Sequence, residues 1–218
     1  MSKAKGTSGR TASADGAVIR VLPAISDIAA AAWDACAAPD PATLNPFVLH
    51  AFLKALEQSG SVGGRSGWAP QHLVLEDAAG KVLGVAPAYA KGHSQGEYIF
   101  DHGWADAFER AGGNYYPKLQ LAVPFTPVPG PRLLAVPGPG RDEREALLAS
   151  GAIELAKRHR MSSAHITFLT EGEWQRLGPL GFLQRIRRLD HPSAERRHFL
   201  FTLLGFVPQP CFLALPLL

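Results

Sequence analysis

Hydrophobic positions that recur with a period of two predict the strands of this chain. The first covers residues 17–22, where apolar and polar side chains alternate. A hairpin is predicted over 72–76 and 81–89, and Pro87 in its second strand indicates an edge position or a bulge. Further strands are predicted at residues 97–101, 118–125, 164–169 and 181–186.

Hydrophobic positions with helical spacing predict five helices between these strands. One begins at Asn45, a good N-cap before Pro46, and carries a core-facing stripe of Leu49, Phe52, Leu53 and Leu56. A longer helix over 142–159 has acidic residues in its first turn and basic residues in its last, as the helix dipole favours. The other three are predicted over 28–38 after a Ser26 cap, over 105–111 and over 173–177. By itself, this order of elements indicates an α/β or α+β fold.

Composition divides the chain into three segments. Residues 1–16 are small and polar and are predicted to be a disordered N-terminus, and 17–186 form the folded domain. After residue 186 the composition changes, because residues 185–198 contain five Arg and 199–218 are almost wholly apolar. Three hypotheses for 187–218 stay open: a frameshifted or truncated copy, a genuine buried segment, or a membrane anchor. Proline at 208, 210 and 216 argues against the anchor.

Charge and cysteine content narrow the function classes. The formal net charge of +3 comes from the two ends, which carry +2 each, so that residues 17–186 carry −1. This distribution argues against a nucleic-acid surface on the folded body. Cys36 and Cys211 form neither a disulfide framework nor a zinc motif, and Cys36 is predicted to be a small buried apolar group. No signal peptide is recognisable, so a cytoplasmic protein is expected.

The stretch at 113–134 organises the chain. A tyrosine pair leads into an apolar strand, which ends in a loop that contains Pro124, Pro127, Pro129 and Pro131. A rigid loop at a strand end is a favourable place for a site, because the strand fixes the position of exposed groups. The alternative is a buried strand followed by an ordinary surface loop.

Four segments resemble the FemAB-like family, which is related to the GNAT acyltransferases and associated with peptidoglycan biosynthesis or recognition. They are NPFVLHAFLKALEQSG at 45–60, the hairpin at 72–89, FDHGWADAFERAGGNYYPKLQLAVPFTPVPGPRLL at 100–134 and HITFLTEGEWQRLGPLGFLQR at 165–185. The resemblance implies a GNAT-like fold, a mixed central sheet flanked by helices, with a strand and a helix inserted before the central strand. It also implies the first of two GNAT-like halves around one cleft, and transfer of an acyl or aminoacyl group to an amine.

Such a transfer needs a polarised carbonyl, a proton acceptor for the amine and a held leaving group. Candidates surround the organising strand: Asp101, His102 and Tyr116 for catalysis, and Tyr115, Lys118, Thr126 and Arg132 for substrate binding. Each has a structural alternative. Asp101 would cap a turn, the tyrosines would pack on the core, Lys118 and Arg132 would be solvated charges, and Thr126 would bond its own loop. No Ser–His–Asp order or metal-ligand cluster stands out, so no metal is expected.

The donor expected from the resemblance is acyl-CoA or an aminoacyl-tRNA, and the acceptor is a small-molecule or peptide amine. In GNAT proteins the pyrophosphate of the coenzyme meets backbone N–H groups at the start of the long helix. Here Gly138, Gly140 and Arg141 occupy that position, while Pro137 and Pro139 remove two donors. The alternative function is a non-catalytic half-domain that recognises a peptide or a peptidoglycan precursor.

Overall fold

The structure, a computed structural model, describes residues 11–12, 16–99, 101–189 and 197–205. Its strands are β1 (Thr11–Ala12), β2 (Val18–Leu22), β3 (Trp68–Pro70), β4 (His72–Glu76), β5 (Val82–Ala86), β6 (Ala88–Lys91), β7 (Lys118–Leu121), β8 (Leu134–Ala135), β9 (Ser163–Thr167), β10 (Leu183–Leu189) and β11 (Arg197–Gly205). Its helices are α1 (Ala30–Ala37), α2 (His50–Gln58), α3 (His102–Arg110), α4 (Arg141–Arg158) and α5 (Glu171–Leu177). The predicted mixed fold is confirmed.

The strands form two sheets. The first has the spatial order β1-β2-β4-β5-β8 and is antiparallel throughout. The second has the order β10-β11-β9-β7-β6-β3, and its one parallel pair among the described strands is β7 with β9. A parallel pair needs a long crossover, which here contains β8 and α4. The central strand β7 therefore lies inside the second sheet.

Pro87 is the point at which the chain passes from one sheet to the other. The predicted hairpin is confirmed for β4 and β5, but its second strand divides at Pro87, and β6 continues in the second sheet. Proline has no N–H to donate to a ladder, so a strand interruption at this position is expected.

Helix α4 lies between the sheets and forms the main core. Its apolar stripe of Leu148, Ala152, Leu155 and Ala156 is buried and joins apolar residues of both sheets. Gly151 permits the closest approach, because a Cβ at this position would lie 2.1 Å from Ile19 Cδ1. The alternating face of β7 and β9 that meets this core carries Leu119, Leu121, Ala164 and Ile166.

Two predicted helix starts are wrong. Ser26 lies in a 3-10 turn, and α1 begins only at Ala30, without a side-chain cap. Asn45 does cap, since its side chain accepts a hydrogen bond from the N–H of Phe47, but it caps a separate 3-10 turn over Pro46–Val48. Helix α2 then begins at His50, and of its predicted stripe Leu53 is fully buried while Phe52 is partly exposed.

Two predicted strands also differ. The described residues of 97–101 form no strand and lead as irregular chain into α3. Strand β7 ends at Leu121 and not at Phe125, because Pro124 has no N–H and Phe125 has a positive φ of 56°. The insertion before the central strand therefore contains a helix and a loop among its described residues.

The C-terminal strands β10 and β11 pair antiparallel, and β11 also pairs with β9. Cys211 and the apolar residues at 206–218 lie outside the described residues. No helix in the described part of the chain is long and apolar enough to cross a membrane.

Candidate functional site

One face of the second sheet is polar and buried. Strand alternation places on it Tyr89 and Lys91 from β6, Lys118 and Gln120 from β7, and Ser163, His165 and Thr167 from β9. Lys91 lies opposite Lys118, and Tyr89 lies opposite Gln120. Buried polar side chains normally require hydrogen-bond partners, so the elements that cover this face determine what it does.

Residues 92–99 together with Asp101, here called the covering segment, lie over this face. The carbonyl oxygen of Gln95 accepts hydrogen bonds from Trp68 Nε1 (3.1 Å) and Lys91 Nζ (3.0 Å). The carbonyl oxygen of Gly96 accepts one from the Phe125 N–H (3.1 Å). At the far end Ile99 packs on Phe168, which directly follows β9. The covering segment therefore spans the sheet from β3 to β9.

The covering segment brings two carboxylates to one buried lysine. Lys118 Nζ donates to Glu97 Oε2 (2.7 Å) and to Asp101 Oδ2 (2.6 Å), and Tyr115 OH also donates to Asp101 Oδ2 (2.8 Å). The Lys118 side chain is 0% exposed, so the prediction of a solvated charge is wrong. Asp101 precedes α3 but its side chain makes no cap hydrogen bond, so the alternative role as a cap is wrong as well.

One oxygen of each carboxylate has no partner. Glu97 Oε1 and Asp101 Oδ1 are both buried without a hydrogen bond within the described residues. Buried unpaired acceptors are costly and few in native proteins. Two such atoms beside one lysine are consistent with a ligand that supplies N–H or O–H donors.

Burial shifts the pKa values of the ionisable side chains in this cluster. Burial raises the pKa of Glu97 to about 7, and the Lys118 ammonium only partly opposes this. Burial likewise lowers the pKa of Lys91 to about 8, with Glu97 opposing the shift. The pKa of Tyr115 is raised by burial and by Asp101, and burial lowers the pKa of His165, so both side chains are neutral. Glu97 thus exchanges a proton near neutral pH, as a general base should.

Replacing Glu97 with glutamine is expected to change how stability depends on pH. Because the folded-state pKa of about 7 lies above the ordinary value of 4.5, the contribution of Glu97 to stability is fully present below pH 4.5. It is lost as the pH rises through 7. Relative to wild type, Glu97→Gln should therefore gain up to about 3 kcal/mol of unfolding free energy between pH 4.5 and pH 8.

Urea unfolding at pH 4.5, 6 and 8 measures this difference. Glu154→Gln is the matched control, since Glu154 is 45% exposed and pairs with Arg158 within its own helix. Parallel curves for wild type and Glu97→Gln would show that Glu97 has an ordinary pKa.

The structure brings four of the predicted site residues together. Tyr115 and Tyr116 contact each other edge to face, with ring centroids 5.0 Å apart, and Lys118 Nζ lies 5.2 Å and 5.5 Å from their ring centroids. Asp101 completes the group. His102 is exposed at its rim, with Nδ1 3.4 Å from Ser94 Oγ.

Thr126 and Arg132 hydrogen-bond to backbone carbonyl oxygens of the loop between β7 and β8 and of its neighbourhood. Thr126 Oγ1 donates to the carbonyl oxygen of Pro124 (3.0 Å). The buried Arg132 guanidinium donates to the carbonyl oxygens of Thr167 (3.0 Å), Gly130 (3.0 Å), Pro131 (3.1 Å) and Val128 (2.7 Å). Burial lowers the pKa of Arg132 to about 10. Arg132 is therefore not a solvated charge, and it folds the loop between β7 and β8.

Three non-glycine residues at this end of the sheet have a positive φ: Tyr98 (56°), Phe125 (56°) and Phe168 (55°). For a bulky side chain this conformation costs about 1–3 kcal/mol, and it persists only where the surroundings hold it. Such strain is concentrated at functional sites, and here it lies near the carboxyl ends of the parallel strands β7 and β9.

Sequence reasoning did not single out Glu97 and Lys91. Glu97 was assigned to the predicted strand at 97–101 and Lys91 lay just beyond the predicted strand at 81–89, and a charged residue at either place is ordinarily solvated. The available signal was the short glycine-containing stretch 92–96 between them, which predicts a loop able to fold back over the sheet.

Comparison with known proteins shows to which family the chain belongs. A model of the FemAB-like family, described as peptidoglycan biosynthesis/recognition, matches residues 24–195. The chain belongs to the FemAB-like family. No curated protein matches the sequence of this FemAB-like protein.

Solved structures agree on the fold. A GNAT-family protein from Chromobacterium violaceum ATCC 12472 aligns with a TM-score of 0.51 at 10% identity, over 92% of this chain and 97% of the other. A GNAT-family protein from Desulfovibrio desulfuricans aligns with a TM-score of 0.53 at 9% identity, over 87% of this chain and 98% of the other. The FemAB-like protein therefore has the GNAT fold.

The start of α4 is the position at which GNAT proteins hold the coenzyme. Gly138 and Gly140 have φ values of 105° and 77°, and Gly140 precedes α4 without a side-chain cap. The first turn of the helix begins with the bond from Arg144 N–H to the Gly140 carbonyl oxygen (3.1 Å). The preceding N–H groups form the kind of helix terminus that binds anions.

The arginine side chains at this turn are engaged within the protein. Arg141 Nε donates to Glu145 Oε1 (2.9 Å), and Arg144 donates to the carbonyl oxygens of Val136 (3.1 Å) and Pro139 (2.8 Å). A neighbouring pocket of about 270 Å³ is lined by five apolar side chains and by Asp142, Glu145, Glu173 and Arg176. A pyrophosphate at this turn would be held by the backbone N–H groups at the start of α4, because both guanidinium groups already have partners.

Proposed function

We propose that this FemAB-like protein transfers an acyl or aminoacyl group to an amine that binds beneath the covering segment. The observation that carries the proposal is the pair of unpartnered buried oxygens, Glu97 Oε1 and Asp101 Oδ1, on carboxylates held by Lys118. An amine supplies N–H donors, which these two acceptors lack. The family match and the GNAT fold support the same class of reaction.

In the proposed reaction the amine nitrogen attacks the carbonyl carbon of an activated acyl ester or thioester. The new C–N bond forms, the bond from the carbonyl carbon to the leaving group breaks, and the nitrogen loses a proton. Glu97 accepts that proton, because its pKa of about 7 matches the task at neutral pH. Lys118 holds the Glu97 carboxylate in position, Asp101 accepts a second hydrogen bond from the Lys118 ammonium, and Tyr115 donates to Asp101.

The remaining predicted site residues have smaller proposed roles. Tyr116 lies half-buried beside Lys118 and would line the acceptor site. His102 at the rim would contact the leaving group. Thr126 and Arg132 would act indirectly, by holding the loop that carries Phe125.

The test is product formation. The full chain is incubated with a panel of amines, including peptides with a free amino terminus. The donor is either acetyl-CoA or an aminoacyl-tRNA, and amide products are sought by mass spectrometry. The proposal predicts an amide product that depends on the protein. Absence of product with both donors, under conditions in which amines bind, would overturn it.

A second function, a non-catalytic binding half-domain for a peptide or a peptidoglycan precursor, is favoured by one observation. The Arg141 and Arg144 side chains at the start of α4 are engaged by Glu145 and by backbone carbonyl oxygens, so the described residues offer no unpartnered arginine at the coenzyme position. A binding domain would need no donor site. Amine or peptide binding without transfer in the assay above would favour this function.

A further inference from the structure

The polar face of the second sheet extends to its outermost strand, β10. Arg185 of β10 lies directly opposite Phe201 of β11, and Phe201 lies directly opposite Thr167 of β9. Directly opposed residues share a face of a sheet, so Arg185 lies on the same face as Thr167. Thr167 Oγ1 accepts a hydrogen bond from Gln120 Nε2 (3.0 Å), which belongs to that face. Arg185 is therefore the cation at the edge of the polar face.

The Arg185 guanidinium is held in place, but its charge is not paired. Nη1 donates to the carbonyl oxygen of Gln184 (3.0 Å), and Cζ lies 5.6 Å from the ring centroid of Trp104 in α3. A stacked guanidinium of this kind has a defined plane. Its Nε atom is buried without a hydrogen-bond partner. Within the described part of the chain, no carboxylate forms an ion pair with Arg185.

The free edge of this guanidinium defines the ligand that it can bind. Because Nη1 is engaged, Nε and Nη2 remain, and together they present two parallel N–H donors. The two oxygens of one carboxylate match such an edge as a bidentate pair. Ligands can reach it, because Arg185 and Trp104 are both partly exposed. A charge that is partly desolvated and unpaired is costly, and a bound anion removes that cost.

We propose that Arg185, stacked on Trp104, binds the carboxylate of a ligand, as carried by an amino-acid derivative or by the carboxyl terminus of a peptide. One guanidinium matches a single negative charge. Helix α3 also carries the exposed Asp106 and Glu109, which disfavour a doubly charged phosphate. The inference stands apart from the proposed function, since it requires neither an amine at Glu97 nor a transfer step.

The test compares two ligands that differ in the carboxylate alone. N-acetylglycine and N-acetylglycinamide, neither of which has a free amine, are titrated into the isotopically labelled full chain at neutral pH. Binding is followed by NMR at the Trp104 indole signal for wild type, Arg185→Lys and the control Arg158→Lys. Arg158 is a suitable control because it is 48% exposed and pairs with Glu154 on the surface of α4.

We expect wild type and control to bind N-acetylglycine at least about tenfold more tightly than the amide. Arg185→Lys should reduce that ratio to about threefold or less, because lysine keeps the charge but lacks the planar fork. Trp104→Leu, read at the Arg185 Nε–H signal, should weaken N-acetylglycine binding at least about twofold. These two variants lie on different elements, so the test remains decisive if one of them fails to fold.

Equal binding of both ligands by wild type, or an unchanged ratio in a folded Arg185→Lys variant, would overturn the inference. Methyl phosphate that binds more tightly than N-acetylglycine would contradict the carboxylate class. Dimerisation that Arg185→Lys abolishes in sedimentation experiments would assign the guanidinium to a second copy of the chain instead. A tenfold ratio without any amide product in the transfer assay would support the carboxylate site and contradict only the proposed reaction.

Discussion

Replacing Arg132 with alanine is expected to lower the free energy of unfolding by about 3–5 kcal/mol. Arg132 is 0% exposed and donates to four backbone carbonyl oxygens within the loop and at the end of β9. The backbone N–H groups of Arg132 and Leu133 donate to Glu173 Oε1 at 2.7 Å and 2.8 Å. Truncation would remove the donor from these four carbonyl groups and would remove the Arg132 charge that faces the Glu173 carboxylate.

Chemical denaturation of the full chain measures the loss. Arg158→Ala is the matched control, because Arg158 is 48% exposed and pairs only with Glu154 one helical turn away. Exposed pairs of this kind contribute less than about 0.5 kcal/mol. If Arg132→Ala costs no more than the control, then the guanidinium does not hold the loop.

Replacing Lys118 with methionine is also expected to lower the free energy of unfolding by about 3–5 kcal/mol. Methionine conserves most of the volume but removes the charge that faces Glu97 and Asp101. Two buried carboxylates would then share a site without their counter-ion. Adding Glu97→Gln and Asp101→Asn to this variant should restore much of the loss, because a neutral cluster has no uncompensated charge.

Denaturation curves for the single and triple variants test this account. Lys54→Met is the control, since Lys54 is exposed on α2 and its replacement should change stability by less than about 0.5 kcal/mol. A Lys118→Met variant as stable as the Lys54 control, or a triple variant less stable than Lys118→Met alone, would contradict a buried ion cluster.

Local signals in the sequence were sufficient for much of the fold. The acidic start and basic end of α4 predicted its limits to within one residue, and its apolar stripe is buried as expected. The strands β2, β4 and β9 followed from short-range alternation. The quoted FemAB-like segments added the GNAT topology, which periodicity cannot supply.

The site depended on contacts between distant parts of the chain. Lys118 and Asp101 are 17 residues apart, and helix α3 and the chain that follows it lie between them. In the sequence, Lys118 is indistinguishable from a solvated lysine, since its burial arises from pairing with Glu97 and Asp101. The predicted strand at 97–101 is absent among the described residues for a related reason. Glu97 is bound to the sheet by a side-chain hydrogen bond from Lys118 and not by backbone pairing.

Arg132 illustrates the opposite situation, a residue whose structural role the sequence did not indicate. Its proline-rich surroundings indicated an exposed rigid loop, and an arginine there was expected to bind substrate. Prolines lack N–H groups, so the loop cannot satisfy its own carbonyl oxygens, and the guanidinium does so from within. The same residue that was predicted to contact substrate thus shapes the loop beside the site.

The measurement that tests the central claim most directly is the rate of amide formation by Glu97→Gln at pH 7.5, with the best amine and donor from the product assay. Loss of a positioned general base typically lowers such a rate by about 10²–10⁴-fold. We predict a decrease of at least about 100-fold with an unchanged circular dichroism spectrum and with Arg158→Ala at the wild-type rate. A Glu97→Gln rate equal to that of wild type would show that the chemistry does not take place at the Lys118 cluster.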